Sequence, residues 1–276
     1  PAAIGSSLRS IPFVLRFIGG DIYDPSKGTS PHRFWFLRML VRLVSRQAQI
    51  CTAISADTSR RAKLLHGVKK DIVVTHLGIE PSVLPPALRQ SFGLPSDTPL
   101  FVSIGRLIPR KGFLKLIHLW PQVNHANLAI VGDGPQRNEL QTEIQLCQLS
   151  GRVFLLGHLS ENDKLGLLRA ADCYVSASLH EGFGLVFLEA MDAGLPILAF
   201  DIGGHTDFLL PDINAILVKG GDLSQLIISL NILTANPQIR LRLGKNNRAA
   251  VKSYYLDHTT ARFAAHDVDE PAAHDG

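Results

Sequence analysis

The sequence predicts an α/β fold whose larger part is a parallel sheet wound by helices on both faces, and three observations carry that reading. From Leu100 onward, short apolar runs alternate with segments of helical character, the pattern of repeated strand–helix–strand units. The runs "LFVSIG", "NLAIVG" and "CYVSAS" are close to continuously apolar, as in strands buried on both faces. Glycine closes run after run, so each strand stops in a loop before its helix. There are too few repeats for a barrel of eight. The expectation is a Rossmann-like domain over residues 85–244, preceded by a smaller α/β part over residues 1–84 and followed by a tail over residues 245–276.

Composition agrees with two ordinary domains. The chain has 276 residues, 46% of them hydrophobic and 19% charged, enough to bury a core and unlike a disordered chain. A net charge of +4 with no long lysine or arginine run argues against nucleic acid; small anionic ligands or a lipid surface fit it. No apolar run reaches the ~18–20 residues that cross a bilayer. Cys51, Cys147 and Cys173 are scattered among apolar neighbours and read as core residues of a reducing, cytoplasmic protein. The chain opens on Pro1 rather than methionine, so a piece of something longer is expected.

In the first part, "IPFVLRFI" (11–18) reads as a buried strand ending at Gly19 and Gly20. Residues 32–50 form a helix on which Arg38, Arg42 and Arg46 recur every four positions. Two readings of it stand: the solvated stripe of a half-buried helix, or contact with a membrane surface through the aromatic "FWF" at 34–36. "ICTAIS" is a strand, "ADTSRRAKLLHG" a helix closed by Gly67, and "DIVVTHLGI" a strand. The next twenty residues hold five prolines and no apolar periodicity and read as the linker.

In the larger part, "LFVSIG" precedes the helix "RKGFLKLIHLWPQV". "NLAIVGDG" precedes a helix with Pro135 at its start, and "RVFLLGHL" one capped by Ser160. "CYVSAS" leads into "LHEGFGLVFLEAMDAG"; "LPILAF" and "NAILVKGGD" complete the series.

Ligands of open parallel sheets bind at the carboxyl ends of the strands. Those ends read "GRLIPRKG", "GDGP", "GHLS", "LHEGFG" and "DIGGHTD". Glycine in all five suggests backbone brought close to a ligand. Arg106 follows a strand and Lys111 precedes a helix, where a cation opposes the helix dipole; together they suit a diphosphate. The order of a P-loop is absent. "GDGP" lacks the third glycine and the acidic residue of a dinucleotide site, which argues against a nicotinamide cofactor. Glu181 and Glu189 have no cationic neighbour in their own stretch. Gly182 and Gly184 open a helix N-terminus that attracts an anion, Glu189 suits the paired hydroxyls of a ribose, and Glu181 suits hydroxyls beyond the far phosphate. Phosphate in the middle with hydroxyls on both sides describes a nucleotide-sugar.

Residues 100–218 resemble the C-terminal domain of the group 1, family 4-type retaining glycosyltransferases, which have the GT-B fold of two Rossmann-like domains. The resemblance lies in "SIGRLIPRKG", "AIVGDGP", "FLLGHLS", "ADCYVSASLHEGFGLVFLEAMDAGLPILAFDIGG" and "NAILV", with seven residues between the two glutamates. It implies that Arg106, Lys111 and Glu181 serve catalysis and that Gly105, Gly182, Phe183, Gly184, Leu185 and Glu189 bind the donor. It implies no metal and no cofactor beyond the nucleotide-sugar itself. The acceptor is a glycan or lipid-linked, and location is cytoplasmic or peripheral at the inner membrane face. "FVLRFIGGDIYD" looks like the acceptor side of the N-terminal domain, although Ile18 stands where many members carry histidine. "RAAVKSYYLDHTTARFAAH" resembles the helix that crosses back to that domain. The N-terminal domain is then incomplete in this chain. The alternative function is a donor-binding module impaired in catalysis.

Overall fold

The computed structural model describes residues 12–261, which divide into two compact units, residues 12–80 with 252–261 and residues 81–251.

The first unit holds a three-stranded parallel sheet in the order β1-β2-β3, formed by Val14–Phe17, Ile50–Ala53 and Ile72–Val74. Helix α1 spans Trp35–Gln47 and α2 spans Ala56–His66. Ser55 caps α2 by accepting from the Thr58 N–H, and Gly67 closes it at φ 67°, where a side chain is strained. A small core forms around Phe17, Ile22, Cys51 and Ala62. Residues 256–261 are helical, and Tyr255 pairs with Ile79 in a short parallel bridge. The remainder of the tail, like Ile11, lies outside the described residues.

Helix α1 departs from the simple solvated stripe. Trp35, Phe36, Met39, Leu40 and Leu43 are all exposed, Trp35 at 73%. Ser45 is the one buried residue of the helix. At 100° per residue these five side chains cover a second apolar arc beside the arginines. Arg42 is not purely solvated, since its Nε donates to the His66 carbonyl at 3.2 Å.

The second unit is a six-stranded parallel sheet. Its strands are β4 Leu100–Ile104, β5 Asn127–Val131, β6 Val153–Gly157, β7 Cys173–Ser176, β8 Ile197–Phe200 and β9 Ala215–Val218. Their order is β6-β5-β4-β7-β8-β9, so the winding reverses between β4 and β7. The connecting helices are α3 Phe113–Leu119, α4 Arg137–Leu146, α5 Glu161–Ala170 and α6 Leu185–Asp192. α7 Leu223–Ala235 and α8 Pro237–Ala250 follow. Phe101 and Trp120 meet edge to face in the core, and the Trp120 indole donates to the Ala126 carbonyl at 3.1 Å. Cys51 and Cys173 are buried as expected, but Cys147 is partly exposed, because it ends α4 rather than facing the sheet.

Both expected domain boundaries move. The proline-rich segment is anchored from Pro81 onward: the Arg89 guanidinium reaches the Ala170 carbonyl at 2.9 Å, the Thr98 carbonyl at 3.0 Å and the Asp172 carboxylate at 2.7 Å. A half-buried arginine with three acceptors fixes chain that proline content alone marks as loose. At the other end, α8 runs through position 245 to Ala250, and Asn247 in its last turn bonds the Leu195 and Asn214 carbonyls. That turn therefore belongs to the second unit.

Candidate functional site

The point where an open sheet reverses its winding leaves a crevice at the carboxyl ends of the flanking strands. Here those strands are β4 and β7, and the loops after them carry the residues singled out in the sequence. After β4, Pro109–Lys111 form a short 3-10 turn closed by Gly112 at φ 73°. After β7, Leu179 donates its N–H to the Arg110 carbonyl at 2.7 Å, and Arg110 Nη1 donates to the His180 carbonyl at 3.0 Å. The two loops are thus hydrogen-bonded to each other immediately before Lys111 and Glu181. The result is an ion pair: Lys111 Nζ lies 2.6 Å from Glu181 Oε1, with side-chain exposures of 14% and 8%.

Glu189 has a partner as well. Lys164, on α5, lies 2.8 Å from Glu189 Oε2 and 2.7 Å from Glu161 Oε1. Burial raises the Glu189 carboxyl above its ordinary range, against the pull of Lys164. For Lys164, burial pulls downward, but the hydrogen bonds with Glu161 and Glu189 outweigh it and hold the ammonium above its ordinary value. The two glutamates that look unpaired in their own stretch are therefore both paired, each with a lysine from another loop or helix.

The glycines at the strand ends bring neighbouring loops close to one another. A Cβ on Gly112 would overlap the Ala177 carbonyl, one on Gly132 the Gly105 carbonyl, one on Gly134 the Leu107 carbonyl, and one on Gly203 the Glu181 carbonyl. At each the close approach is between neighbouring strand-end loops, which lets them stack into one floor. Gly184, at φ 92°, opens α6, and its Cβ would lie 2.6 Å from the Phe187 ring. Leu185 begins that helix and is partly exposed, whereas Phe183 is buried against Phe208. Gly105 lies beside the Lys111 side chain.

Beside the ion pair, a cavity of about 500 Å³ runs along the ends of β4, β5 and β6. Arg106 and Gly105 line it from β4, Asp133 from β5, His158 from the loop after β6, and Glu161 with Lys164 from α5. Arg106 is exposed and faces this cavity, while Lys111 faces Glu181. The residues expected in the sequence are thus brought to one sheet edge. Arg110 and Lys164 were not anticipated. Their partners lie 70 and 25 positions away, beyond any local spacing rule, so no sequence signal pointed to them.

Arg110→Ala removes the charged donor to the His180 carbonyl and is expected to lower stability by about 1–3 kcal/mol in urea unfolding. An unchanged midpoint would show that the loop is held without it.

Among the described residues, His118, Glu143 and Cys147 bring donor atoms within 4.8 Å of one another. They belong to the far ends of α3 and α4, at the opposite edge of the sheet, and His118 Nε2 is 2.8 Å from Glu143 Oε2.

Comparison with known proteins places this edge in context. Residues 86–250 match the family described as glycosyl transferases group 1. A lipopolysaccharide core biosynthesis glycosyltransferase of Rhizobium meliloti, LpsD, is 30% identical over 209 residues, 76% of this chain and 60% of its own. A UDP-Gal:alpha-D-GlcNAc-diphosphoundecaprenol alpha-1,3-galactosyltransferase of Escherichia coli is 28% identical over 270 residues, 89% of this chain and 66% of its own. The chain thus spans about three fifths to two thirds of the length of these relatives. Among solved structures, Anabaena HepE in complex with UDP superposes with a TM-score of 0.84 at 23% identity, covering 98% of this chain and 75% of that one. A sucrose-phosphate synthase of Thermosynechococcus elongatus gives 0.81 at 23% identity, covering 96% and 70%. These likenesses show the two-domain α/β fold of such proteins.

Proposed function

The chain belongs to the group 1 glycosyl transferases, and we propose that it moves a sugar from a nucleotide-diphosphate-sugar donor to a glycan or lipid-linked acceptor, with retention at the anomeric carbon as in family 4. The observation that carries this is the Lys111–Glu181 ion pair at the point where the sheet reverses its winding. The cavity beside it extends the site by two strands, about 10 Å at the usual strand spacing, room for a nucleoside beyond a diphosphate.

In this reading Lys111 and Arg106 neutralise the charge that grows on the leaving nucleotide diphosphate, a transition-state interaction in a site that is already organised. Glu181 holds the transferred sugar and keeps the Lys111 ammonium in place. Glu189 is assigned to the ribose, and the backbone at Gly105, Gly182, Phe183, Gly184 and Leu185 to the phosphates and sugar. The opening of α6 adds N–H groups and the positive end of its dipole. Charge neutralisation comes from side chains, and the proposed reaction uses no resident metal or cofactor. Relatives named for lipopolysaccharide core and undecaprenyl-linked acceptors support the acceptor class.

None of the described helices is long and apolar enough to cross a membrane. The exposed apolar arc of α1 with its arginines supports peripheral contact with the inner face of a membrane.

The test is thermal melting against UDP, GDP, ADP and their sugar conjugates. A ligand at ~100 times its Kd adds about 2.7 kcal/mol, a rise of a few degrees for a protein of this size. One nucleotide is expected to produce it, and its sugar conjugate to be turned over in the presence of acceptor. Binding without turnover would leave a donor-binding module. A cooperative melt unmoved by every nucleotide sinks the reading.

A further inference from the structure

We propose that Lys164 is itself a binding residue of the nucleoside end of this site: Glu161 and Glu189 hold its ammonium at the cavity wall, with one N–H facing an acceptor atom of the nucleoside. The inference rests on the function proposed above and goes beyond it, since the paired glutamates alone leave Lys164 without a role.

Three observations combine. An ammonium carries three N–H donors and no acceptor, and two carboxylates lie 2.7 Å and 2.8 Å from that of Lys164. Lys164 and Glu161 line the cavity of about 500 Å³, so this donor group stands at the wall of a ligand-sized space. Third, the position is right for a nucleoside rather than a phosphate. Lys164 stands one turn into α5, which follows β6, and β6 lies two strands from β4, whose loop carries Arg106 and Lys111.

The surroundings hold the lysine charged and still. Its side chain is 17% exposed, and its neighbours in the cavity include the carboxylates of Glu161 and Asp133. Glu189, assigned above to the ribose, pairs with it from α6, so removing Lys164 takes away a donor and leaves a buried carboxylate without its cation. A simple strut between α5 and α6 accounts for the pair with Glu189, since buried ion pairs tie elements together. It does not account for the side chain's place on the cavity wall.

The experiment measures nucleotide affinity by calorimetry for the described chain and for Lys164→Met and Lys164→Arg, each first melted without ligand to establish folding. The nucleotide is whichever of UDP, GDP and ADP the parent chain binds. Lys164→Met is expected to bind it roughly ten- to hundred-fold more weakly, the span of a lost hydrogen bond to a charged group. Lys164→Arg, which keeps N–H donors, recovers most of that. A strut predicts a lower melting temperature for Lys164→Met with affinity unchanged, and that result overturns the inference while leaving the proposed function standing. Equal losses in the methionine and arginine variants also overturn it. If the parent chain binds none of the three nucleotides, the functional reading falls and this inference with it.

Discussion

Replacing Lys111 by methionine is expected to lower the rate of sugar transfer by about 10²–10³-fold, the effect of removing one organised charge-stabilising group from an active site. The same change leaves Glu181, 8% exposed at its side chain, without its ion-pair partner. Breaking a buried pair from one side costs about 3–5 kcal/mol, so the variant is expected to unfold at markedly lower urea. The two effects separate in the double variant Lys111→Met with Glu181→Leu. Replacing both charges by apolar groups of similar size restores much of the stability but none of the transfer. If the double variant recovers activity along with stability, the pair is structural and the assignment of Lys111 to the leaving diphosphate is wrong.

Gly112→Ala is expected to cost about 2–6 kcal/mol, by two effects that add. At φ 73° a Cβ strains the backbone, and it would overlap the Ala177 carbonyl, whose carbon lies 2.7 Å away. That carbonyl follows β7 and cannot move aside as a flexible side chain does. Gly93 provides the control. It has nearly the same backbone, φ 68°, yet a Cβ there meets nothing within 4 Å, so Gly93→Ala is expected to cost about 1 kcal/mol, the strain alone. Urea unfolding of the two variants measures the difference. Equal losses would mean that the loops after β4 and β7 are not packed as closely as the structure has them.

Much of the second unit is legible in the sequence because its signals are local. Continuous apolar runs mark β4, β5 and β7, and Ser160 caps α5 through the Asp163 N–H at 3.1 Å. In the first unit, Ser55 and Gly67 bound α2. The proline-rich stretch is misread for the converse reason: its order comes from Arg89 reaching acceptors as far away as Asp172, a contact that composition does not register. The apolar side of α1 is legible beside its arginine repeat, but its exposure is not, since a pattern along one helix does not say what packs on it.

By itself the sequence determined the strands of the second unit and the helices between them, but not α7 and most of α8, and it placed Arg106, Lys111 and Glu181 at strand ends or helix starts and Glu189 within α6. These follow from backbone sterics, capping and hydrophobic burial, which act within a turn or two of chain. Tertiary structure alone decided who meets whom. Lys111 meets Glu181 because β4 lies beside β7, although the residues are 70 positions apart. Lys164 meets Glu189 because α5 packs on α6. Charge pairing depends on distance in space to within a few ångströms, and that distance is set by strand order and helix packing, which no local pattern encodes.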